Sequence, residues 1–240
     1  METLRIALFG YGKMGKMIEK IAVERGHQIA CIIEKSTSEA EILSKLQSSN
    51  IPIDFTIPDA VDKNMSYCFS CHKPLVMGTT GWHNRLQEIT EKVVSGQQTL
   101  FYAPNFSLGM NIAFRLNQQM ARLLNGTAYT VSMREVYHVH KLDAPSGTAI
   151  KLATDFIACN SRYKSWTMER PAKEGQLLIE AKREGEVNGI HEITAQSAED
   201  IITLRHEALG REGFALGAVL AAEYIFGKTG VFTMDDLLKD

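Results

Sequence analysis

Gly10-Tyr-Gly12-Lys-Met-Gly15 constrains the fold of this chain more than any other stretch, because of what stands on either side of it. Before it, Leu4-Arg-Ile-Ala-Leu-Phe9 is short, apolar and partly β-branched or aromatic, the pattern of a parallel strand buried on both faces. After it, Met17, Ile18, Ile21 and Ala22 recur at helical spacing and Gly26 provides a stop. Gln28-Ile-Ala-Cys-Ile-Ile33 then supplies the second strand of a βαβ unit. Each glycine meets a separate demand. Gly10 permits a tight turn, Gly12 lets backbone approach a pyrophosphate, and Gly15 lets helix and strand pack closely. Glu34 ends the second strand about 20 residues after the loop, where a dinucleotide fingerprint places its ribose-binding acid.

Glu34 accepts hydrogen bonds from a ribose hydroxyl and repels a 2′-phosphate, whereas Lys35, helped by Lys13 or Lys16, attracts one. The expectation is that both NADH and NADPH are usable; Lys16 is equally well explained as a solvated surface charge. Further strands are predicted at Ile53–Thr56, Leu75–Met77 and Leu100–Tyr102, separated by segments of helical length such as Trp82–Ser95. Strand and helix in alternation make an α/β fold, here a Rossmann-type, doubly wound parallel sheet. In such sheets ligands bind outside the carboxyl ends of the strands, which is where Gly78-Thr79-Thr80-Gly81 and Ala103-Pro104-Asn105-Phe106-Ser107 fall. Turn chemistry alone also accounts for Gly78 and Gly81.

Past Asn111 the character changes. A helix is predicted over Ile112–Leu124, then strands at Tyr129–Tyr137, Gly189–Gln196 and Ile201–His206, with one helix near Thr148–Ala158. This is a second, α+β domain. The apolar helix Glu212–Phe226 breaks that pattern and is expected to return to the first domain. The boundaries that follow are 1–107 plus 212–240 for the dinucleotide domain and 108–211 for the second. With 45% hydrophobic and 22% charged residues and a net charge of -2, the chain exerts no strong pull on a polyanion, so nucleic acid is not an expected partner. No apolar run reaches the ~18 residues of a membrane span. Met1-Glu-Thr-Leu-Arg leads straight into the first strand without the regions of a signal peptide, which makes the cytoplasm the expected compartment. Cys68-Phe-Ser-Cys71-His72 matches a haem-attachment or half-zinc pattern, but no second pair at ligand spacing accompanies it, and no metal site is expected.

Residues 135 to 149, EVYHVHKLDAPSGTA, gather Tyr137, His138, His140, Lys141 and Asp143 and then run into Pro-Ser146-Gly147-Thr148. The first group moves or binds protons. The second opens a helix whose unpaired amides and dipole favour an anion.

Taken together, the glycine loop with Glu34-Lys35, Asp54-Phe-Thr, Gly78-Thr-Thr-Gly, Ala103-Pro-Asn-Phe-Ser and H-x-H-K-x-D-A-P-S-G-T-A resemble the 4-hydroxy-tetrahydrodipicolinate reductase (dihydrodipicolinate reductase) family. The likeness runs nearly end to end, through Arg183–His191, His206 and Arg211 to the closing Gly230-Val-Phe-Thr-Met-Asp-Asp-Leu. It implies a homotetramer, hinged dinucleotide and substrate domains, and NAD(P)H reduction of a cyclic dicarboxylate in the diaminopimelate route to lysine. The family reaction delivers hydride to a ring carbon and a proton to its neighbour. The resemblance implies cofactor contacts at Gly10, Gly12, Lys13, Met14, Gly15, Glu34, Lys35, Phe55, Thr56, Gly78, Thr79, Thr80, Ala103, Pro104, Asn105 and Phe106. It implies substrate contacts at His138, Ser146, Gly147, Thr148 and Arg211, with Lys141 as the charge that pairs with a carboxylate. His140 is as well explained by packing.

One position departs from the family. There, a histidine four residues before the lysine is taken as the general acid; here Tyr137 occupies it. A phenol with an ordinary pKa near 10 is a poor acid at neutral pH unless a cation such as Lys141 lowers it. Three donors stay open: Tyr137, His138 or water. Alternation along a strand sets Tyr137 and His138 on opposite faces, so they do not share the role, and Tyr137 or an ordered water is favoured, with Lys141 and Tyr137 the expected catalytic residues. Two rivals remain: an oxidoreductase of the same architecture acting on another small carboxylate, and a catalytically silent dinucleotide sensor. An anion pocket in the second domain argues against the sensor.

Overall fold

The computed structural model describes residues 2–239, so Met1 and Asp240, the outer bounds of the expected first domain, lie outside the described residues. The described residues form two compact units, 2–108 with 211–239, and Gly109–Gly210. Leu108 and Arg211 thus fall with the first unit, where the sequence put them with the second.

In the first unit, β1 (Arg5–Phe9), α1 (Lys13–Glu24), β2 (Gln28–Ile33), α2 (Glu39–Ser48), β3 (Ile51–Asp54), α3 (Val61–Ser70), β4 (Leu75–Met77), α4 (Leu86–Ser95) and β5 (Thr99–Tyr102) alternate. Among the described residues they build a parallel sheet in the order β11-β5-β4-β3-β1-β2, its last strand added at Gly230–Phe232. Both faces are covered, so alternate strand residues enter different cores. Ile6, Leu8, Ile51, Ile53 and Val76 meet Ala215, Ala218, Val219 and Ala222 of the helix Glu212–Ile225. Ala7, Phe9, Leu75, Met77 and Leu100 meet Ile42, Leu46, Val61 and Val93. Continuous apolar strands are the consequence of that two-sided burial. Glu223 further ties the Glu212–Ile225 helix to the end of α1, accepting from Arg25 at 2.7 and 2.8 Å and from His27 Nε2 at 2.8 Å. Because His27 Nδ1 accepts the Leu4 N–H, its proton sits on Nε2.

The second unit consists of α5 (Leu108–Leu123) after its first residue, β6 (Thr130–Tyr137), α6 (Gly147–Cys159), β7 (Ser165–Thr167), β8 (Gln176–Arg183), β9 (Ile190–Gln196) and β10 (Ile201–Glu207). α7 (Glu212–Ile225), β11 (Gly230–Phe232) and α8 (Met234–Leu237) then complete the first unit. Sheet order is β10-β9-β6-β8-β7, with β6 parallel to β8 and antiparallel to β9. Val131, Met133, Ile179 and Ile193 on one face pack under Phe114 of α5 and Leu152 and Phe156 of α6. The fold is the expected α/β sheet plus an α+β unit.

Several elements differ from the sequence reading. Trp82–Ser95 is not one helical segment: a single 3-10 turn at His83–Arg85 precedes α4. Helix α5 begins at Leu108, four residues before its apolar pattern. β7 and β8 were not anticipated. Cys71 caps α3 and Cys68 is buried within it, where burial pushes the thiol well above its usual pKa.

Candidate active site

The order of the first sheet sets β1 between β2 and β3, so the chain reverses its direction of travel across the sheet there. That is the switch point at which open α/β sheets bind ligands. Gly10 follows β1 and Phe55 follows β3, and the two lie against each other: a Cβ on Gly10 stands 2.8 Å from the Phe55 carbonyl oxygen, at a φ of +84°. A Cβ on Gly15 stands 2.3 Å from the Gly10 carbonyl oxygen. Gly12, by contrast, has nothing within 4 Å of its Cβ position, and it caps α1 without a side chain or an acidic first turn. Two glycines are therefore needed for packing, and the third leaves an open, bare helix start. A phosphate fits that cradle.

Asp54 braces the loops from below. Its fully buried carboxylate accepts from the Thr56 amide (2.9 Å), the Thr56 hydroxyl (2.7 Å), Thr79 Oγ1 (2.9 Å) and Asn64 Nδ2 (2.7 Å). The side chains of Thr56 and Thr79 thus serve the scaffold. The Phe55 ring fills the space a Gly78 side chain would need, 2.2 Å from that Cβ position. Phe106 is 2% exposed and packs edge-on to Phe55 and near Phe101, so it belongs to the core and offers a ligand only backbone. Asn105 accepts the Ser107 amide, Ala103 is buried, and Thr80 and Pro104 are exposed. Lys13 stands exposed at the first position of α1, with Met14 half-buried beside it.

Glu34 and Lys35 are exposed at the end of β2, on a turn held by the Glu34 amide donating to Thr37 Oγ1 at 3.0 Å. Lys35→Ala is expected to weaken NADPH relative to NADH by roughly three- to tenfold, the scale of one exposed charge pair. Dissociation constants from nicotinamide fluorescence check this, and an unchanged ratio removes Lys35 from the site.

In the second unit, Tyr137 ends β6 and its ring lies on Gly189, whose Cβ position is 2.8 Å from Tyr137 Cε1. Lys141 Nζ stands 4.7 Å from that ring's centroid and pairs with Asp143 Oδ1 at 2.8 Å. The Lys141 contact holds the Asp143 carboxyl below its usual range. His191 Nε2 lies 3.5 Å from the Tyr137 hydroxyl and 3.5 Å from Ser146 Oγ. Burial raises the Tyr137 phenol above its ordinary value and outweighs the lowering influence of the Ser146 and Thr148 hydroxyls. The lowering by Lys141 that the sequence allowed does not occur.

At the start of α6, Ser146 Oγ accepts the Ala149 amide, and the Ser146 amide donates to both oxygens of Glu135 at 3.1 Å. The Ser146 amide is thus engaged, a correction to the expectation that it faces a ligand; Gly147 is exposed, with open space around its Cβ position, and Thr148 follows it in the first turn of α6. His138 lies beyond the strand, donating its amide to Val187, and its ring meets Tyr137 edge-on at 6.5 Å, so strict alternation does not separate the two. His138 Nδ1 is buried without a partner, whereas His140 is exposed beside Glu186. Arg211 is the exposed cap residue of α7 in the first unit.

Residues 4–106 match the family description "Dihydrodipicolinate reductase, N-terminus", and residues 109–238 match "Dihydrodipicolinate reductase, C-terminus". The chain belongs to the dihydrodipicolinate reductase family. A 4-hydroxy-tetrahydrodipicolinate reductase from Christiangramia forsetii is 42% identical over 99% of this chain and 98% of its own length. The Rickettsia rickettsii enzyme of the same name is 32% identical over 98% and 99%. In fold, the chain is similar to a dipicolinate-bound dihydrodipicolinate reductase from Paenisporosarcina sp. TG-14, with a TM-score of 0.79, 21% identity, and coverage of 99% and 100%.

Sequence reasoning gave no role to Glu135, Arg183 or His191, which meet beneath Tyr137. Glu135 is fully buried, 3.0 Å from Arg183 Nη2 and 3.8 Å from His191 Nε2. Their signal was register: Glu135 shares a strand face with Tyr137, and His191 pairs with Glu135 across β6 and β9. Burial, aided by His206 and Lys141, lowers His191 from 6.5 to about 4. As pH falls below about 6.5 the unfolded chain takes up a proton that the folded protein refuses, so stability present above that pH is lost towards pH 4. Denaturant titration is expected to show about 2 kcal/mol lost to this group between pH 7 and 5, and less loss in His191→Gln. Equal pH slopes for the two proteins contradict this.

Proposed function

We propose that this chain uses NADH or NADPH to reduce 4-hydroxy-tetrahydrodipicolinate to tetrahydrodipicolinate, in the diaminopimelate route to lysine. One observation carries the reading: the Lys141 ammonium, the Tyr137 hydroxyl and the open first turn of α6 stand on one short stretch of chain, in a sequence that matches this reductase family from end to end. A doubly negative ring suits that stretch. One carboxylate meets the Gly147 and Thr148 amides, where the helix dipole adds to hydrogen bonding. Lys141 exchanges Asp143 for the substrate and balances charge as it develops on the ring. His138 is a further donor to the dicarboxylate. Tyr137, its proton held firmly by burial, offers an O–H that does not titrate near neutral pH.

The glycine loop fits a dinucleotide, with Gly12, Lys13, Met14 and Gly15 at the pyrophosphate and Glu34 and Lys35 at the ribose. Gly78–Thr80 and Ala103–Phe106 frame the base through backbone groups. When bound, the reduced nicotinamide supplies the hydride. The first unit is the dinucleotide domain, and the second binds substrate and assembles the protein. A homotetramer is supported by the sheet face opposite the second core, where Ser132, Arg134, Leu178, Glu180, Glu192 and Thr194 alternate with core residues and stay at least partly exposed. Light scattering is expected to give the mass of four chains; a monomer contradicts it. A reducing, cytoplasmic setting fits the four free thiols.

Purified protein mixed with NADH and the product of the preceding synthase is expected to lose nicotinamide absorbance. Binding of NADH without oxidation is the sensor's result and overturns the reading.

A further inference from the structure

Lys141 and the first turn of α6 are five residues apart in sequence, joined by an exposed loop in which Leu142 is 98% exposed. Such a loop does not by itself hold two charge-binding elements at a fixed spacing. What ties them is a buried carboxylate with no role in the reaction described above. Glu135 lies on β6, 0% exposed, and both its oxygens accept the amide of Ser146, the residue that opens α6. Arg183, at the end of the adjoining strand β8, donates Nη2 to Glu135 Oε1 at 3.0 Å. The same guanidinium reaches the loop: Nη2 donates to the Asp143 carbonyl at 2.5 Å and Nε to the Lys141 carbonyl at 3.4 Å. One ion pair thus grips both ends of the Lys141–Ser146 segment.

A buried negative charge close to an anion site is costly unless something offsets it. Here the offset is Arg183, at 19% side-chain exposure, and the planar fork of arginine lets one cation serve the carboxylate and two carbonyls together. A lysine at 183 keeps the charge and loses the fork. A glutamine at 135 keeps an acceptor for Ser146 and loses the charge that holds Arg183.

We propose that Glu135 and Arg183 are positioning residues that fix the distance between the Lys141 ammonium and the Gly147 and Thr148 amides, and so select a ring bearing two carboxylates over the same ring bearing one. The proposal rests on the reading of this pocket as a dicarboxylate site. A monocarboxylate engages one element and is indifferent to the spacing; a dicarboxylate engages both and is not.

The test measures the binding of pyridine-2,6-dicarboxylate and pyridine-2-carboxylate to the NADH-loaded protein, in the wild type, Glu135→Gln and Arg183→Lys, with NADH affinity and melting temperature recorded for each. In both variants the dicarboxylate is expected to weaken by about tenfold or more, the scale of one charge-assisted contact, while the monocarboxylate changes by less than about twofold. NADH affinity stays as in the wild type. Loss of stability alone lowers the fraction of folded protein and leaves the ratio of the two affinities in place, so the ratio separates positioning from a merely structural role. Equal weakening of both ligands, or an unchanged ratio, overturns the proposal. Should Glu135→Gln fail to fold, Arg183→Lys decides by the same ratio. A wild-type protein that oxidises NADH with the ring substrate while the variants keep its selectivity sinks this proposal alone; a wild type that binds no dicarboxylate sinks the reading beneath it as well.

Discussion

Lys141→Ala is expected to lower turnover by about 10²–10³-fold, the loss found when a preorganised charge is removed from where charge develops in a transition state. Tyr137→Phe is expected to cost less than about tenfold, below the 10²–10⁴ of a matched general acid. The ordering follows from the pocket. Lys141 Nζ is a half-buried cation, held by Asp143 at 2.8 Å and by the Tyr137 ring, and its removal leaves the dicarboxylate facing Asp143 with no balancing charge. Tyr137 is an acid weakened by its own burial, so replacing it removes a hydrogen bond more than a proton source. Steady-state kinetics at saturating NADH decide the point, and equal losses in the two variants refute it. A corollary concerns pH. The Tyr137 phenol stays protonated through neutral pH, so turnover in the wild type has no falling limb from this group between pH 6 and 8. Tyr137→His is expected to introduce one below the ordinary imidazole value of about 6.5, because the burial that raises the phenol disfavours an imidazolium, whose proton is lost as pH rises.

Gly15→Ala is expected to weaken NADH binding by at least about tenfold, although alanine in place of glycine inside a helix normally stabilises by about 1 kcal/mol. Gly15 lies in α1, buried, with its Cβ position 2.3 Å from the carbonyl oxygen of Gly10. The clashing atom is backbone, and Gly10 is itself wedged against Phe55 at a φ of +84°, so neither partner yields cheaply. The added methyl must push α1 away from β1, and with it the amides of its open first turn. Gly12→Ala is the control: it sits in open space, so its methyl meets bound phosphate before it meets protein. Fluorescence titration with NADH, alongside thermal melts, separates loss of the cradle from loss of the fold. Wild-type affinity in Gly15→Ala contradicts the account.

The first unit was legible because its strands are buried on both faces and announce themselves as continuous apolar runs, as in Leu4–Phe9. The second was less so. Gln176-Leu-Leu-Ile-Glu-Ala-Lys-Arg183 is made largely of good helix formers, and it becomes a strand through pairing with β6 and burial of Leu177 and Ile179, a tertiary effect that local propensity does not carry. With β8 unseen, Arg183 had no address, and Glu135 had no partner to give it meaning. The helix-opening turn was visible in Pro-Ser-Gly-Thr, yet the engagement of the Ser146 amide by Glu135 depends on two elements meeting in space. Phe106 looked like part of a ligand loop from its place after β5; its ring turns into the core against Phe55. The environment of Tyr137 was not legible for a related reason. Lys141 is near in sequence and does reach the ring, but Gly189 and His191, more than fifty residues away in sequence, enclose the phenol, and enclosure decides its acidity.

The central claim is that a ring held by Lys141 and the first amides of α6 receives hydride from a nicotinamide held by the glycine loop. The direct measurement is transfer of label from NADH carrying deuterium at the reactive C4 position, followed by mass spectrometry of the ring product. One deuterium per product from one face of the nicotinamide, appearing about 10²–10³-fold more slowly in Lys141→Ala while NADH binding persists, is the expected result. Product without label, or labelled product at the wild-type rate in Lys141→Ala, contradicts it.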